Sequence, residues 1–124
     1  MTPLFLDSYL MLIKFDRQLS RGDFSALYEI VRSCPVHEGH HDLRTVEQIC
    51  SAVDLASIWY WKQVLCLQRS ATTACLLRKH GVAAQLVIGA QSMPFRAHAW
   101  VEVAGRIVND KPYIADLYPV LDRC

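Results

Sequence analysis

The sequence predicts an α+β domain in which several helices precede a small antiparallel sheet. Apolar residues recur at helical spacing through roughly the first 60 positions, and a further helix with unusually small side chains is predicted over residues 66–80. After Gly81 the hydrophobic period changes to that of a strand. A block of helices followed by consecutive strands is typical of the α+β class.

Three helices are predicted in the N-terminal half. The first covers residues 4–18 and the second residues 23–33, with a turn at residues 21–23 between them and Pro35 closing the second. Asp42 is placed to cap the third helix. The apolar positions of this third helix follow one face: Val46, Ile49, Cys50, Val53, Ala56 and Tyr60.

The segment "CLQRSATTACLLRKH", residues 66–80, predicts a central helix. Basic residues fill its last turn, and Gly81 can adopt the left-handed conformation that ends a helix. Small residues occupy its middle: Ser70, Ala71, Thr72, Thr73 and Ala74. Because small side chains allow close approach, we expect this helix to be buried against the sheet.

Three segments with strand periodicity follow the central helix. They are "AQLVIGA" at residues 84–90, "AHAWVEV" at 97–103 and "RIVND" at 106–110. A Met93-Pro94 loop joins the first two, and an Ala104-Gly105 turn joins the second to the third. The pattern therefore predicts consecutive antiparallel strands.

Size and charge indicate one globular domain. The 124 residues are enough for a single core, with the helical part at residues 1–62 and the central helix and sheet at 63–124. Hydrophobic residues make up 52% of the chain and charged residues 20%, which argues against disorder. Thirteen basic against 12 acidic residues leave no strong field, so we do not expect a nucleic-acid partner.

Cysteine usage and the opening segment indicate a location. The five cysteines form an odd set without a C-x-x-C pair: Cys34, Cys50, Cys66, Cys75 and Cys124. We therefore expect a reducing compartment and a cytoplasmic protein. The opening "MTPLFLDSYLMLIKF" lacks a basic n-region and is interrupted by Asp7, so we expect a docked helix and no membrane span.

Cys66 is the best-placed thiol for chemistry. It begins the central helix, where first-turn N–H groups carry partial positive charge and stabilise the nucleophilic thiolate. A buried structural role is nevertheless commoner for cysteine. Cys50 and Cys75 fit that structural role because they lie on apolar helix faces.

His98 is the candidate base. Strand alternation places His98, Trp100 and Glu102 on one face, and we expect the Cys66 helix to pack there. A lone histidine on an apolar strand is more often structural. A helix-terminal cysteine, a strand histidine and a carboxylate on the next strand together form the nucleophile, base and orienter of thiol acyl-transfer enzymes.

The order Cys66, His98, Asp110, with "FRAHAWVEV" followed by "GRIVND", resembles the transglutaminase-like cysteine proteases and their papain-like core. More narrowly, the chain resembles the leader peptidase of lasso-peptide biosynthesis, the separate C-terminal half of the B protein in split systems. Matching residues run from "CLQRSATTACLLRKHGVAAQLVIGA" through "FRAHAWVEVAGRIVND" to "YPVLDRC". The resemblance implies removal of the leader from a lasso precursor by a Cys66, His98, Asp110 triad through an acyl-enzyme.

Two residues compete to orient the His98 ring. A strict two-residue hairpin at residues 104–105 would set Asp110 opposite Ala99, on the wrong face, and would make Asn109 the orienter. A three-residue loop with a bulge would shift the register by one and set Asp110 across from His98. We expect the bulge.

The implied mechanism also needs oxyanion donors. The Cys66 sulfur would attack the scissile carbonyl, His98 would protonate the departing amine, and Asp110 would fix the histidine tautomer. One donor is expected to be the Cys66 backbone N–H. The second is expected in "WYWKQVL", from the side chain of Gln63 or the indole of Trp61, although an aromatic residue here is more often core packing.

Two other functions stay open. The same three residues would serve an acyltransferase of the transglutaminase or arylamine N-acetyltransferase type, in which an amine accepts the acyl group. Alternatively, the chain is a catalytically idle peptide-binding module in which Cys66 merely packs.

Neither a metal nor a cofactor is expected. The segment "CPVHEGHHDL" holds residue types that bind zinc, namely Cys34, His37, His40 and His41, but their spacing matches no standard ligand pattern. We expect a polar loop there. The chain contains no Gly-rich phosphate-binding motif, so no nucleotide is assigned.

The resemblance implies several partners. One is the precursor peptide, and another is a separate leader-binding protein that adds the leader to a sheet edge. The liberated core would pass to an asparagine-synthetase-like macrolactam cyclase. No membrane partner is expected.

Overall fold

The computed structural model describes residues 3–22, 24–36 and 43–124. The elements follow in this order: α1 (Pro3–Ser20), α2 (Phe24–Ser33), α3 (Leu43–Trp59), α4 (Cys66–Lys79), β1 (Ala84–Ser92), β2 (Phe95–Val103), β3 (Arg106–Ile107), α5 (Ile114–Leu117) and β4 (Val120–Arg123). The predicted α+β class is confirmed. The predicted cap at Asp42 lies outside the described residues.

The sheet has the strand order β3-β2-β1-β4, and each neighbouring pair is antiparallel. Strands β1 and β2 pair along their whole length, from Ala84 opposite Val103 to Ser92 opposite Phe95. The Met93-Pro94 connection is therefore a two-residue turn, and its peptide bond is cis. The chain then leaves β3 at one edge and returns through α5 to β4 at the other.

Helix α4 lies at the centre of the fold. Ten of its residues are buried, which confirms the burial predicted from its small side chains. At its end Gly81 has a φ of 88°, and the Val82 N–H donates to the Leu77 carbonyl at 2.9 Å. A side chain at this left-handed position would be strained, so glycine favours the end of the helix here.

The two faces of the sheet pack against different elements. On one face Ala99 and Val101 join a core that includes Ala71 and Ala74 of α4. On the opposite face Trp100 packs with Val87 and Ile114. These two clusters place α4 and α5 on opposite sides of the sheet.

A buried arginine links the helical layer to β1 and to the residue that follows β4. The Arg78 guanidinium donates to the carbonyls of Ala84 at 2.8 Å and Cys124 at 2.7 Å, and also to that of Val31. Arg78 is only 8% exposed, so these carbonyls replace the water that the cation would otherwise bind. Within the described ranges, every helix is too short or too polar to cross a bilayer.

Candidate active site

Cys66 is the first residue of α4, as the sequence predicts. The preceding Leu65 has an extended backbone and a side chain without any hydrogen-bond acceptor, so that side chain cannot cap the first-turn N–H groups. The Gln68 side chain accepts from the Leu65 N–H at 3.3 Å and donates to the Leu12 carbonyl at 2.8 Å. The helix start is thereby fixed to α1, and the half-buried Cys66 thiol lies at the positive end of the helix dipole.

His98 and Asp110 form a direct hydrogen bond. The distance from His98 Nε2 to Asp110 Oδ2 is 2.6 Å, and the other carboxylate oxygen accepts from the Lys111 N–H at 2.8 Å. The His98 ring also stacks on Tyr118 at 5.2 Å and lies 6.2 Å from the Trp100 ring, centroid to centroid. A carboxylate acceptor places the ring proton on Nε2, which leaves Nδ1 as the nitrogen for proton exchange.

The electrostatic surroundings keep Asp110 ionised. Burial raises the pKa of this carboxyl, but the hydrogen bonds from His98 and from the Lys111 backbone, with the charges of His98 and Arg69, outweigh that effect. Its pKa therefore lies below the usual 3.8. At neutral pH the side chain is an acceptor for the imidazole N–H.

The predicted bulge between β2 and β3 is wrong. Val103 pairs with Arg106 across a two-residue turn in which Ala104 has a φ of 51° and Gly105 a φ of 77°. Positive φ at both positions gives the turn whose twist matches a tight hairpin, so no extra residue is needed. Asp110 nevertheless reaches His98, because the strand ends before alternation can set its direction.

The Asn109 side chain explains why the strand ends. Its Oδ1 accepts a hydrogen bond from the Val101 N–H at 2.7 Å. If the strand pairing continued, this N–H would donate to the Val108 carbonyl. Its Nδ2 donates to Ser70 Oγ at 3.0 Å, and that hydroxyl donates to the Ala99 carbonyl at 3.0 Å. Asn109 thus links β2 to α4, and the structure places Asp110 at the His98 ring instead.

The predicted packing face of His98 also needs correction. Helix α4 packs on the Ala99 and Val101 face, whereas His98 stacks with Trp100 on the opposite one. Cys66 and His98 nevertheless line the same cavity, together with Ala99, the neighbour of His98. Alternation identifies the residues that share a face but does not say which face the helix covers.

Cys66 lies between two cavities of different character. An apolar cavity of about 440 Å³ is lined by Leu19, Phe24, Tyr28, Leu65, Cys66, Leu67, Ile88, Ala97, His98 and Ala99. A more polar cleft of about 560 Å³ is lined by Asp54, Ser57, Ile58, Gln63, Val64, Cys66 and Arg69. A peptide crossing Cys66 would meet apolar walls on one side and polar groups on the other.

The two candidate oxyanion donors differ in position. Gln63 is exposed and lines the polar cleft with Cys66. Trp61 is 72% exposed, stacks on Tyr60 at 5.9 Å and lies beneath the Lys62 ammonium at 4.9 Å. Gln63 is therefore the side chain of the two that shares a cavity with the thiol.

Cys50 and Cys75 have the environments of packing residues. Burial raises the pKa of Cys50 to about 11, with a further contribution from the Asp54 charge. Burial also raises the pKa of Cys75, which is 2% exposed and whose sulfur lies 2.7 Å from that of Cys34. High pKa values disfavour the thiolate at neutral pH, so neither thiol is suited to nucleophilic attack.

The histidine-rich segment holds the metal-ligand candidates that the sequence analysis weighed. His37, His40 and His41 lie outside the described residues. Among the residues that the structure does describe, no group of three or more histidine, cysteine or acidic side chains is arranged to hold a metal ion.

Three residues that contact the candidate site were missed by the sequence analysis: Arg69, Ser70 and Tyr118. Arg69 approaches Asp110 at 3.9 Å, Ser70 bonds Asn109, and Tyr118 stacks on His98. The position of Arg69 in the sequence could have indicated its role, because a residue three positions after Cys66 lies on the same helix face. The position of Tyr118 could not, since its approach depends on the path between β3 and β4.

Comparison with known proteins identifies the class. The family model described as the transglutaminase-like superfamily matches residues 9–122, and the chain therefore belongs to that superfamily, as the resemblance implied. Among curated proteins, it is 39% identical over 56 residues to the microcin J25-processing protein McjB of Escherichia coli. That match covers 45% of this chain and 27% of McjB, so the chain aligns with about a quarter of that relative. No solved structure matches.

Proposed function

We propose that this chain is a cysteine peptidase that removes the leader from a lasso peptide precursor. The observation that best supports the proposal is that Cys66 and His98 line one cavity while Asp110 Oδ2 lies 2.6 Å from His98 Nε2. These positions suit a nucleophile, a base and an orienter. Similarity to a microcin J25-processing protein supports a role in peptide processing.

In the proposed reaction His98 Nδ1 takes the Cys66 thiol proton, and the sulfur attacks the carbonyl carbon at the end of the leader. The tetrahedral intermediate collapses as the carbon–nitrogen bond breaks, and His98 returns the proton to the departing amine of the core peptide. A water molecule then loses its proton to His98 and attacks the thioester. Hydrolysis releases the leader as a carboxylic acid and restores the thiol.

The developing oxyanion requires hydrogen-bond donors near Cys66. The Cys66 backbone N–H is one candidate because the Leu65 side chain cannot cap the helix start. The Gln63 amide is the second candidate because it lines the cleft beside the thiol. Loss of such a donor typically costs about 100-fold or more in rate, so Gln63→Ala tests this assignment.

The two cavities suggest how a peptide substrate is held. The apolar cavity suits a hydrophobic side chain next to the scissile bond, and the polar cleft suits the opposite side of the bond. Leu19, Phe24 and Tyr28 supply the helical wall of the apolar cavity. This contribution supports a single catalytic domain in which the helical residues 1–62 and the residues 63–124 form one site.

The cellular setting is part of the proposal. We assign the chain to the cytoplasm, where a reducing environment keeps Cys66 as a thiol. A separate leader-binding protein would present the precursor, and an asparagine-synthetase-like cyclase would receive the core. No metal, nucleotide or nucleic acid takes part in the proposed chemistry.

The test is cleavage of the lasso precursor of the source organism, with and without its leader-binding protein, followed by mass spectrometry. We expect separate leader and core products from the wild type, and intact precursor with Cys66→Ala. Cys50→Ala is the matched control and should cleave normally, since Cys50 lines neither cavity as described. Intact precursor in the complete wild-type mixture would refute the proposal, and a leader carrying an added amine would identify an acyltransferase instead.

A further inference from the structure

We propose that Arg69 is a positioning residue that links the nucleophile helix to Asp110 and holds this carboxylate against His98. The inference rests on the proposed function, because it concerns the same three groups. It is carried by the contacts of the Arg69 guanidinium with two acidic side chains from different parts of the fold.

The Arg69 guanidinium lies between two carboxylates. Its Nη2 is 3.9 Å from Asp110 Oδ2, and its Nη1 is 3.5 Å from Asp54 Oδ1. Asp110 Oδ2 is also the oxygen bonded to His98 Nε2. This oxygen is therefore held between a guanidinium and an imidazole, which restricts rotation of the carboxylate away from the ring.

The position of Arg69 in the chain makes the link specific. Arg69 follows Cys66 by three residues in α4, and both side chains line the polar cleft. One guanidinium thus connects α3, the nucleophile helix α4 and the segment after β3. A planar fork of donors can contact two carboxylates at once, whereas a lysine ammonium supplies the charge without that geometry.

The charges facing this group come from several elements. Asp110 contacts His98, which lies in β2, and Arg69, which lies in α4. It also accepts a hydrogen bond from the neighbouring Lys111 N–H. Asp54 faces Arg69 from α3. Removing Arg69 leaves Asp54 and Asp110 without their shared cation, so the Asp110 carboxylate should turn away from the His98 ring more readily.

The experiment compares wild type, Arg69→Gln and Arg69→Lys. Arg69→Gln is also combined with Asp110→Asn, because a residue that acts through Asp110 should lose its effect once that carboxylate is absent. Single-turnover cleavage of the precursor is measured for every variant, and circular dichroism confirms folding. The matched control is Arg32→Gln, because Arg32 also contacts two carboxylates, at 3.4 Å and 3.7 Å, but lines neither cavity as described.

We expect Arg69→Gln to slow cleavage at least about 10-fold, with KM unchanged within about twofold, and to slow the Asp110→Asn variant by no more than about twofold. Arg69→Lys should restore only part of the rate, and Arg32→Gln should match the wild type. An equal rate loss from Arg69→Gln in the wild-type and Asp110→Asn backgrounds would mean that Arg69 does not act through Asp110 and would overturn the inference. So would a wild-type rate in Arg69→Gln while Cys66→Ala is inactive, whereas cleavage by Cys66→Ala would overturn the proposed function itself.

Discussion

Replacement of Gly89 by alanine tests how the sheet holds His98, its partner in the β1–β2 ladder. An alanine Cβ at this position would lie 2.5 Å from the Tyr118 carbonyl oxygen and 2.7 and 2.9 Å from two carbons of the Trp100 indole. The Trp100 indole and the Tyr118 ring both stack with the His98 ring. The methyl group therefore fits only if the residues that flank the imidazole move.

The size of the effect follows from these distances. Carbon atoms in contact normally lie about 3.5–4.0 Å apart, so the neighbours must move by about 1 Å. Overpacking of this kind costs about 1–3 kcal/mol, which lowers Tm by about 3–15 °C in a domain of this size. A displacement of about 1 Å in a catalytic group reduces turnover about 100-fold.

The assays are thermal unfolding followed by circular dichroism and single-turnover cleavage of the precursor. Gly22→Ala is the matched control: Gly22 has a φ of 69°, and among the described residues nothing lies within 4 Å of its added Cβ. That substitution costs about 1–2 kcal/mol of backbone strain but should leave the cleavage rate unchanged. The reasoning would be refuted if Gly89→Ala had the Tm and cleavage rate of the wild type. It would also be refuted if Gly89→Ala lost no more activity than Gly22→Ala.

Three further predictions concern single side chains. Burial raises the pKa of Asp110, but the His98 hydrogen bond and nearby charges lower it below 3.8. The ionised Asp110 side chain therefore stabilises the folded state above pH 3.8, and this stabilisation is lost as pH falls through the lower pKa of the folded state. The difference in unfolding free energy between wild type and Asp110→Asn, from urea titrations, should therefore close in strong acid; a constant difference would contradict this. Burial raises the pKa of Cys50 to about 11, so iodoacetamide at about pH 7.5 should label Cys66 before Cys50, and equal labelling of these two thiols in peptide maps would count against this prediction. Arg78→Met removes the donor to three carbonyls and should cost about 3 kcal/mol, seen as a lower urea midpoint with unchanged slope.

Most of the fold follows from local sequence patterns. The central helix was predicted at residues 66–80 and is observed at Cys66–Lys79, because small buried residues and Gly81 define it within one segment. The elements α5 and β4 were not predicted. Helix α5 has four residues, and all four residues of β4 are exposed, so neither element has a hydrophobic period that sequence analysis can detect.

The candidate site could be predicted in its residue types but not in its geometry. Cys66 and His98 stand out locally as a helix start and a strand residue, whereas the choice of Asp110 over Asn109 depended on the family resemblance and on a bulge that is absent. The direction of Asp110 was not readable, since it depends on the Asn109 side chain taking the Val101 N–H from the ladder. A side chain that takes the place of a backbone acceptor in this way leaves no periodic pattern in the sequence.

The contacts of Arg69 illustrate the same limit over a longer range. Its two acidic partners, Asp54 and Asp110, are distant from it in sequence and approach it through the packing of α3 and the segment after β3 against α4. A helix face can be inferred from spacing, whereas the partner of that face requires the tertiary structure.

The central claim is that the Cys66 sulfur forms a covalent bond to the leader during cleavage. The direct measurement is intact mass spectrometry of the chain, quenched in acid while it cleaves the precursor with the leader-binding protein present. The account predicts a species heavier by the leader acyl group, with the addition mapped to Cys66 and absent from Cys66→Ala. Cleavage by Cys66→Ala at the wild-type rate would contradict it.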